Sequence, residues 1–280
     1  MRESWVSLDG ASIYVETVGE GRAALVMPVA WGMSHDFYQT LLGVLELGLQ
    51  LIHFDTEGTG MSSDLPAGWN PARIVDEAEA VRAAGEYARV IVLGHASGAF
   101  LAMAYALDHP DHVEALILIS PFASYTRAND MSVSRLESAP HWDAFQKRVA
   151  EIRKAALTPE DRFRAIFKEQ RAVDLVDYGP HYFLMADAAD EATFNPQMNE
   201  DGEIDFIDEL ETIEVPVLII SGVQDPLTPI EESRLIAAEL PYVRLVELQA
   251  SGHYPFVEQP DEFAAAISQF MRDIEPQDEE

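Results

Sequence analysis

Short apolar runs alternate with helical spacing over the first 121 residues, and together they predict a sheet flanked by helices. Residues 5–7 and 12–17 alternate apolar and polar side chains on either side of Asp9-Gly10, which predicts a β-hairpin. The spacing of apolar residues from Ile74 to Val81 predicts a helix. Short runs rich in apolar residues predict strands at 24–27, 50–54, 90–95 and 115–120, and the continuous run at 24–27 is expected of a strand covered on both faces. Strands that alternate with helices predict a parallel sheet with right-handed crossovers.

The strand pattern stops at residue 122. Residues 142–155 and 159–176 have helical spacing, and a looser stretch at 195–205 leads out of the segment. Aromatic side chains are frequent here, and most of them are expected to pack within the segment itself. An aromatic-rich helical insertion between two strands predicts a cap over the end of the sheet where ligands bind.

The apolar runs return at 215–221 and 243–248 and bring the predicted strands to eight. Because the helical segment interrupts one continuous strand series, we predict one α/β core rather than two independent domains. The core consists of residues 1–121 and 208–280. Residues 122–207 form the cap.

A β-branched strand runs into a glycine-flanked turn and then into an Ala-rich helix around position 96. Gly94 and Gly98 stand two residues before and two residues after Ala96. This spacing is typical of a nucleophile elbow, in which the turn between strand and helix is too tight for side chains at the flanking positions. The central residue of such an elbow carries the attacking oxygen, but here it carries a methyl group.

Three explanations fit Ala96. Ser97 could be the nucleophile in a shifted register, although His95 and Ala99 would then stand where small glycines belong. The chain could be a natural relative without catalysis that binds a ligand. We favour the third explanation, a hydrolase whose serine at position 96 was replaced by alanine, provided that the other catalytic groups are present.

Those other groups are present in the expected order. An elbow-type hydrolase needs an acid and then a base after the nucleophile, each on a loop at the carboxyl end of a strand. Asp225 follows the seventh predicted strand and His253 follows the eighth. For the oxyanion hole we predict the backbone N–H groups of Ser97 and Ala30, with Trp31 as the second choice for the latter.

Substrate contacts are predicted for the aromatic and histidine side chains near these loops and in the cap. The candidates are Trp31, His35, Tyr125, Trp142, Tyr182 and Tyr254. No H-E-x-x-H or comparable ligand spacing occurs in the chain, so we predict neither a metal nor another cofactor.

The strongly negative net charge of the chain limits the partners that it is expected to bind. Lys plus Arg number 18 against 49 Asp plus Glu, a formal net charge of -31 in a chain of 280 residues. Such an acidic protein repels nucleic acid and anionic membranes, so a small-molecule substrate is the expected partner, and a homodimer is left open. Cysteine is absent, and no apolar run approaches the roughly 18 residues that span a bilayer. We expect a cytoplasmic protein.

Several motifs together resemble the α/β-hydrolase superfamily over nearly the whole chain. The stretch from Gly94 to Gly98 is similar to its G-H-S-x-G elbow, and Gly252-His253 followed by Glu258-Gln259-Pro260 is similar to its histidine loop. The resemblance implies the α/β-hydrolase fold: a mostly parallel eight-stranded sheet flanked by helices, with a helical cap insertion. Within the superfamily, the loops at 32–36 and 55–60 resemble those of proline iminopeptidase-like members.

The departures from that branch favour a different substrate. Proline iminopeptidases have H-G-G-P-G where this chain has Pro28-Val29-Ala30-Trp31-Gly32, and they usually have glutamine and arginine where it has Thr56 and Glu57. The lost glycines and the added tryptophan predict a reshaped acyl pocket. We therefore expect hydrolysis of a bulky apolar ester or lactone, with an aminopeptidase and a non-catalytic binding protein as the alternatives.

Overall fold

The fold is an eight-stranded sheet with helices in the connections between its strands. The computed structural model describes residues 1–29, 32–43, 48–66, 70, 72–138, 141–176, 178–193, 195 and 205–275. The eight strands lie side by side in the order β1-β2-β4-β3-β5-β6-β7-β8. Their bounds are β1 Arg2–Leu8, β2 Ala11–Val18, β3 Arg22–Met27, β4 Leu49–Phe54, β5 Val90–His95, β6 Val113–Ile119, β7 Val217–Gly222 and β8 Val243–Leu248.

The pairing of the strands matches the sequence pattern. β1 and β2 form an antiparallel hairpin at one edge, and β2 pairs antiparallel with β4. All the remaining neighbours run parallel. Side chains of a central strand alternate between two apolar layers, so that Val92 faces one layer and Ile91 faces the other. The prediction of a mostly parallel eight-stranded sheet covered on both faces is confirmed.

Ten α-helices are assigned within the described residues. They are α1 Asp36–Leu42, α2 Ala72–Ala84, α3 Ser97–Asp108, α4 Tyr125–Ser138, α5 Trp142–Lys154, α6 Pro159–Asp174, α7 Tyr178–Glu191, α8 Ile230–Glu239, α9 Pro255–Glu258 and α10 Pro260–Asp273. Helices α5 and α6 fall where helical spacing predicts them. Helices α1, α4, α7 and α9 have no counterpart among the sequence predictions, and most of the predicted stretch at 195–205 lies outside the described residues.

The four helices between β6 and β7 are held to the core at both ends of the insertion. At the entry, Arg127 of α4 forms a two-bonded ion pair with the buried Glu232 of α8, with distances of 2.6 and 2.9 Å. At the exit, the backbone N–H of Asn195 donates to the Gly32 carbonyl at 2.7 Å, and its side-chain amide donates to the Gly58 carbonyl at 2.7 Å. The end of this insertion, at Asn195, therefore contacts the loops at the carboxyl ends of β3 and β4.

None of the helices in the described part of the chain is long and apolar enough to cross a membrane.

A buried carboxyl group lies under the loop that follows β4. Glu77 of α2 is fully buried, and its carboxyl group accepts hydrogen bonds from the Thr56 hydroxyl and the Glu57 backbone N–H. Burial raises the pKa of Glu77 from 4.5 to about 8, although both hydrogen bonds act in the opposite direction. Between these two pH values the unfolded chain has lost the proton that the folded chain keeps. The free energy of unfolding therefore falls as the pH rises through this window.

We expect Glu77→Gln to remove this loss. The variant should gain about 2 to 4 kcal/mol of stability relative to the parent between pH 5 and pH 8, because its side chain does not titrate. Urea unfolding at pH 5, 6.5 and 8 measures the difference. Asp76→Asn, an exposed change on the same helix, serves as the control and should keep a constant offset from the parent. Parallel stability curves for parent and Glu77→Gln would show that Glu77 does not titrate in this range.

Candidate active site

The turn after β5 holds Ala96 in a strained backbone conformation. Its φ is 52° and its ψ is -117°, a region that L residues other than glycine rarely adopt. Hydrogen bonds fix this turn from both sides, because the Ala96 N–H donates to the Ile119 carbonyl and the Ala96 carbonyl accepts from Ala99 and Phe100. Ala96 therefore occupies the tip of the elbow, whereas Ser97 is the first residue of α3.

The two flanking glycines are required by close backbone approaches. A Cβ atom at Gly94 would lie 2.2 Å from the Gly98 carbonyl oxygen, and one at Gly98 would lie 2.7 Å from the Met27 carbonyl oxygen. Backbone atoms of β3 and α3 cannot move away without disturbing the sheet. Neither position can therefore carry a side chain without a shift of the backbone.

Asp225 and His253 meet at the carboxyl ends of β7 and β8. The Nδ1 atom of His253 lies 2.8 Å from Oδ2 of Asp225, and both side chains are buried. The other Asp225 oxygen accepts the backbone N–H groups of Leu227 and Thr228 at 2.8 and 3.0 Å. The Thr228 hydroxyl donates to Oδ2 at 2.7 Å. Four donors therefore surround the carboxylate, so His253 carries its proton on Nδ1 and leaves Nε2 as a proton acceptor.

The His95 side chain binds the backbone of the His253 loop. Its Nε2 atom lies 2.7 Å from the His253 carbonyl oxygen, and its Nδ1 atom lies 2.8 Å from the Tyr38 hydroxyl. A carbonyl only accepts, so Nε2 of His95 carries the proton and the Tyr38 hydroxyl donates to Nδ1. Burial lowers the pKa of His95 well below its usual value. The ring is therefore a neutral, fixed support.

Of the residues predicted for the oxyanion hole, only Ser97 lies within the described residues. Ser97 is buried in the first turn of α3, where the helix dipole favours negative charge. Ala30 and Trp31, the candidates for the other half, lie outside the described residues. They remain predictions.

The predicted substrate contacts are spread over several places. Tyr254 is buried beside His253, with ring centroids 5.1 Å apart. Trp142 begins α5, and its ring centroid lies 5.4 Å from that of Phe145. Trp142 and His141 both line a shallow cavity. The side chains of Tyr125 and Tyr182 lie outside the described residues. Only Tyr254 among the described aromatic candidates adjoins the Asp225–His253 pair.

His35 is engaged in a different cluster. Its Nδ1 atom lies 2.9 Å from Oδ1 of Asp55, and the same oxygen accepts the His35 backbone N–H at 2.8 Å. Burial opposes the charged form, but the hydrogen bond and charge of Asp55, with Asp36 and Glu16 nearby, raise the pKa of His35. Asp55 also binds the Met61 N–H at 2.9 Å. These contacts join the loops after β3 and β4, and the assignment of His35 to the substrate stays a prediction.

One group of side chains in the described residues has the spacing of a metal site. The ligand atoms of Glu79, His109 and His112 lie within 4.8 Å of one another. The Glu79 carboxylate already accepts hydrogen bonds from Nη2 and Nε of Arg82, at 2.7 and 2.9 Å, and from the Tyr105 hydroxyl at 2.7 Å. The group also lies near the far end of α3 from the elbow, about 18 Å along the helix. It plays no part in the site described above.

Three contacts escaped the sequence prediction: Thr228 on Asp225, the His95–Tyr38 pair, and the backbone of Asp174, whose carbonyl accepts the His253 N–H at 2.9 Å. A signal existed for Thr228, because an Asp followed three residues later by Thr often closes a turn by side-chain hydrogen bonds. Contacts to a distant backbone carbonyl leave no such signal.

Comparison with known proteins agrees with the fold. A family model described as the alpha/beta hydrolase fold matches residues 23–260. A protein from Klebsiella pneumoniae subsp. pneumoniae named as a carbamate hydrolase, RutD, is 27% identical over 244 residues, covering 87% of this chain and 89% of that protein. A pimeloyl acyl-carrier-protein methyl ester esterase from Edwardsiella ictaluri is 24% identical over 265 residues, covering 93% and 97%.

Solved structures share the same architecture. The crystal structure of proline iminopeptidase from Mycobacterium smegmatis superposes with a TM-score of 0.71 at 23% identity, over 98% of each chain. The match of the family model over most of the sequence, together with the elbow and the strand order, shows that the chain belongs to the α/β-hydrolase family.

Proposed function

We propose that this chain is a disarmed serine hydrolase, in which a serine at position 96 would cleave a carboxylic ester or lactone of a bulky apolar small molecule. The supporting observations are the backbone of Ala96, at φ 52° and ψ -117°, and the Asp225–His253 pair, whose imidazole ring centroid lies 4.5 Å from that of the neighbouring His95. Strain of this kind costs on the order of 1–3 kcal/mol and is found where the chemistry needs it. An alanine makes no use of it, whereas a serine at the same place presents its oxygen to a substrate.

The reaction that we propose has two halves. The serine oxygen attacks the ester carbonyl while Nε2 of His253 takes its proton, and the N–H of Ser97 donates to the developing oxyanion. His253 then gives the proton to the leaving alcohol as the C–O bond breaks. Water, deprotonated by His253, attacks the acyl-enzyme and releases the acid together with the free serine. Asp225 stabilises the protonated form of His253 in each half.

The choice of ester over amide rests on the loops and on the cap. An aminopeptidase has to bind a free amino terminus, and the sequence offers the cap carboxylates Glu169, Asp187 and Glu191 for this purpose. Glu169 instead pairs with Arg148 at 3.2 Å, Glu191 accepts the Thr40 hydroxyl at 2.5 Å, and Asp187 is exposed. Two of the three carboxylates thus bind other side chains and the third is exposed, which favours an ester or lactone over a substrate with a free amino terminus.

A substrate panel on Ala96→Ser tests this proposal. The panel contains p-nitrophenyl esters of short and long acids, aliphatic lactones, and prolyl and alanyl p-nitroanilides. We expect turnover of the esters or lactones, higher for bulky apolar acyl groups, and little turnover of the anilides. Ala96→Ser/His253→Ala and the chain with Ala96 are the matched controls, and both should be nearly inert.

The other outcomes identify the alternatives. Faster turnover of the anilides than of any ester would assign an aminopeptidase. Tight binding of apolar ligands without turnover in any of the three proteins would assign a non-catalytic binding protein. Turnover that survives in Ala96→Ser/His253→Ala would contradict the role of His253.

A further inference from the structure

The end of cap helix α6 lies directly against the loop that carries His253. The backbone N–H of His253 donates to the Asp174 carbonyl at 2.9 Å. At Gly252, a Cβ atom would lie 2.2 Å from the same carbonyl oxygen, so the two backbones are in contact. The position of the imidazole therefore depends on where the cap ends.

Glu258 joins the two segments a second time. Its Oε1 atom accepts the backbone N–H of Val176, which follows α6, at 2.6 Å. Its Oε2 atom accepts the backbone N–H of Gly252 at 2.7 Å and the Ser251 hydroxyl at 3.2 Å. One carboxylate thus binds the cap with one oxygen and the His253 loop with the other.

A buried ion pair fixes the cap side of this contact. Arg171 and Asp174, one turn apart on α6, are fully buried and lie 2.5 Å from each other. The Arg171 guanidinium carbon lies 3.8 Å from the ring centroid of Phe167 and 4.9 Å from that of Tyr254. Arg171 thus forms a cation–π contact with Tyr254, the residue that follows His253, and this contact holds the end of α6 against the His253 loop.

We propose that Glu258 is a positioning residue, which ties the His253 loop to the end of the cap and so makes the placement of the base depend on the placement of the cap. This proposal rests on the proposed function, since it assigns His253 as the base. Displacement of a catalytic group by about 1 Å costs on the order of 10²-fold in rate. A cap that shifts without Glu258 would move the Asp174 carbonyl and His253 by this kind of distance.

Glu258→Gln in the Ala96→Ser protein tests the bridge. Glutamine keeps the shape of the side chain, but its NH₂ group replaces one of the two oxygens that accept backbone N–H groups. One of those N–H groups therefore loses its acceptor. We expect kcat to fall about 10- to 100-fold, with KM within about twofold of the parent. Titration with an excess of an organophosphate inhibitor gives the fraction of folded sites, so that kcat is counted per competent site. Glu262→Gln, the same change on the exposed face of α10, should leave both constants unchanged.

A cap-side pair of variants separates positioning from damage to the His253 loop. Val176→Pro removes the N–H that donates to Glu258, and Leu175 before it already has the extended backbone that proline favours. Val176→Ala keeps the N–H. We expect the proline variant to lower kcat about 10-fold and the alanine variant to match the parent. Equal kcat values for Glu258→Gln and the parent, or a loss explained wholly by fewer competent sites, would overturn the proposal.

A signal that does not depend on turnover distinguishes failure of this proposal from failure of the proposed function. In the chain with Ala96, the proton between His253 Nδ1 and Asp225 should give a downfield ¹H NMR resonance. Glu258→Gln should broaden or shift it, and Glu262→Gln should not. An unchanged resonance in Glu258→Gln contradicts the positioning role, whatever the substrate panel shows.

Discussion

Replacing Ala96 with serine should raise ester hydrolysis about 10⁵- to 10⁶-fold over the chain with alanine. Loss of the nucleophile from a complete triad costs on the order of 10⁶ in kcat, and we expect the reverse change to recover most of it. Recovery requires that the elbow, the base and the acid already stand in place. The strained turn at Ala96 and the 2.8 Å contact of His253 with Asp225 meet that condition.

The measurement is kcat/KM for the fastest ester of the panel, with both proteins purified in parallel. Ala96→Ser/Ser97→Ala is the control for register, since Ser97 stands next to position 96 and begins α3. We expect this double variant to stay active, because only the Ser97 N–H is needed. A gain below about tenfold in Ala96→Ser would mean that the site is not poised for nucleophilic attack.

Replacing Asp225 with asparagine in the Ala96→Ser protein should cost about 10⁴-fold in kcat, the size of effect seen when the acid of a triad becomes an amide. The structure dictates how the amide must lie. One Asp225 oxygen accepts the backbone N–H groups of Leu227 and Thr228, so the amide oxygen stays there. The NH₂ group then faces Nδ1 of His253 and donates to it. The proton of the imidazole moves to Nε2, which can no longer accept a proton from serine.

This effect is distinguished from loss of folding by its size and by its control. Asp261→Asn, an exposed change at the start of α10, should leave kcat within about twofold of the parent. Circular dichroism and thermal unfolding of Asp225→Asn should show a folded protein. A loss of less than about tenfold would mean that another group orients His253.

The strand pattern allowed most of the core to be predicted. Short runs rich in apolar residues marked the parallel strands, and the Asp9-Gly10 turn marked the edge hairpin. The cap was harder. Helix α7 has Gly179 and Pro180 in its first turn, which read as a break, and α4 has few apolar residues to show a periodic face. Tertiary packing overrides such weak local signals.

The loops that carry Asp225 and His253 could be predicted for the same reason as the strands. Each residue follows an apolar run, and the carboxyl ends of parallel strands meet at one edge of the sheet. The supports of His253 could not be predicted, because they depend on carbonyl groups. The oxygen of Asp174 and the oxygen of His253 itself carry no mark in the sequence, and only the folded chain brings them to their partners.

The measurement that tests the central claim most directly is covalent labelling of residue 96. Ala96→Ser and the chain with Ala96 are treated with a fluorophosphonate, which reacts with an activated serine whatever the natural substrate, and are then analysed by intact and peptide mass spectrometry. We expect one adduct per chain of Ala96→Ser, on the serine at position 96, and no adduct on the chain with Ala96. An adduct on Ser97, or Ala96→Ser that stays unlabelled, would contradict a serine nucleophile at the elbow.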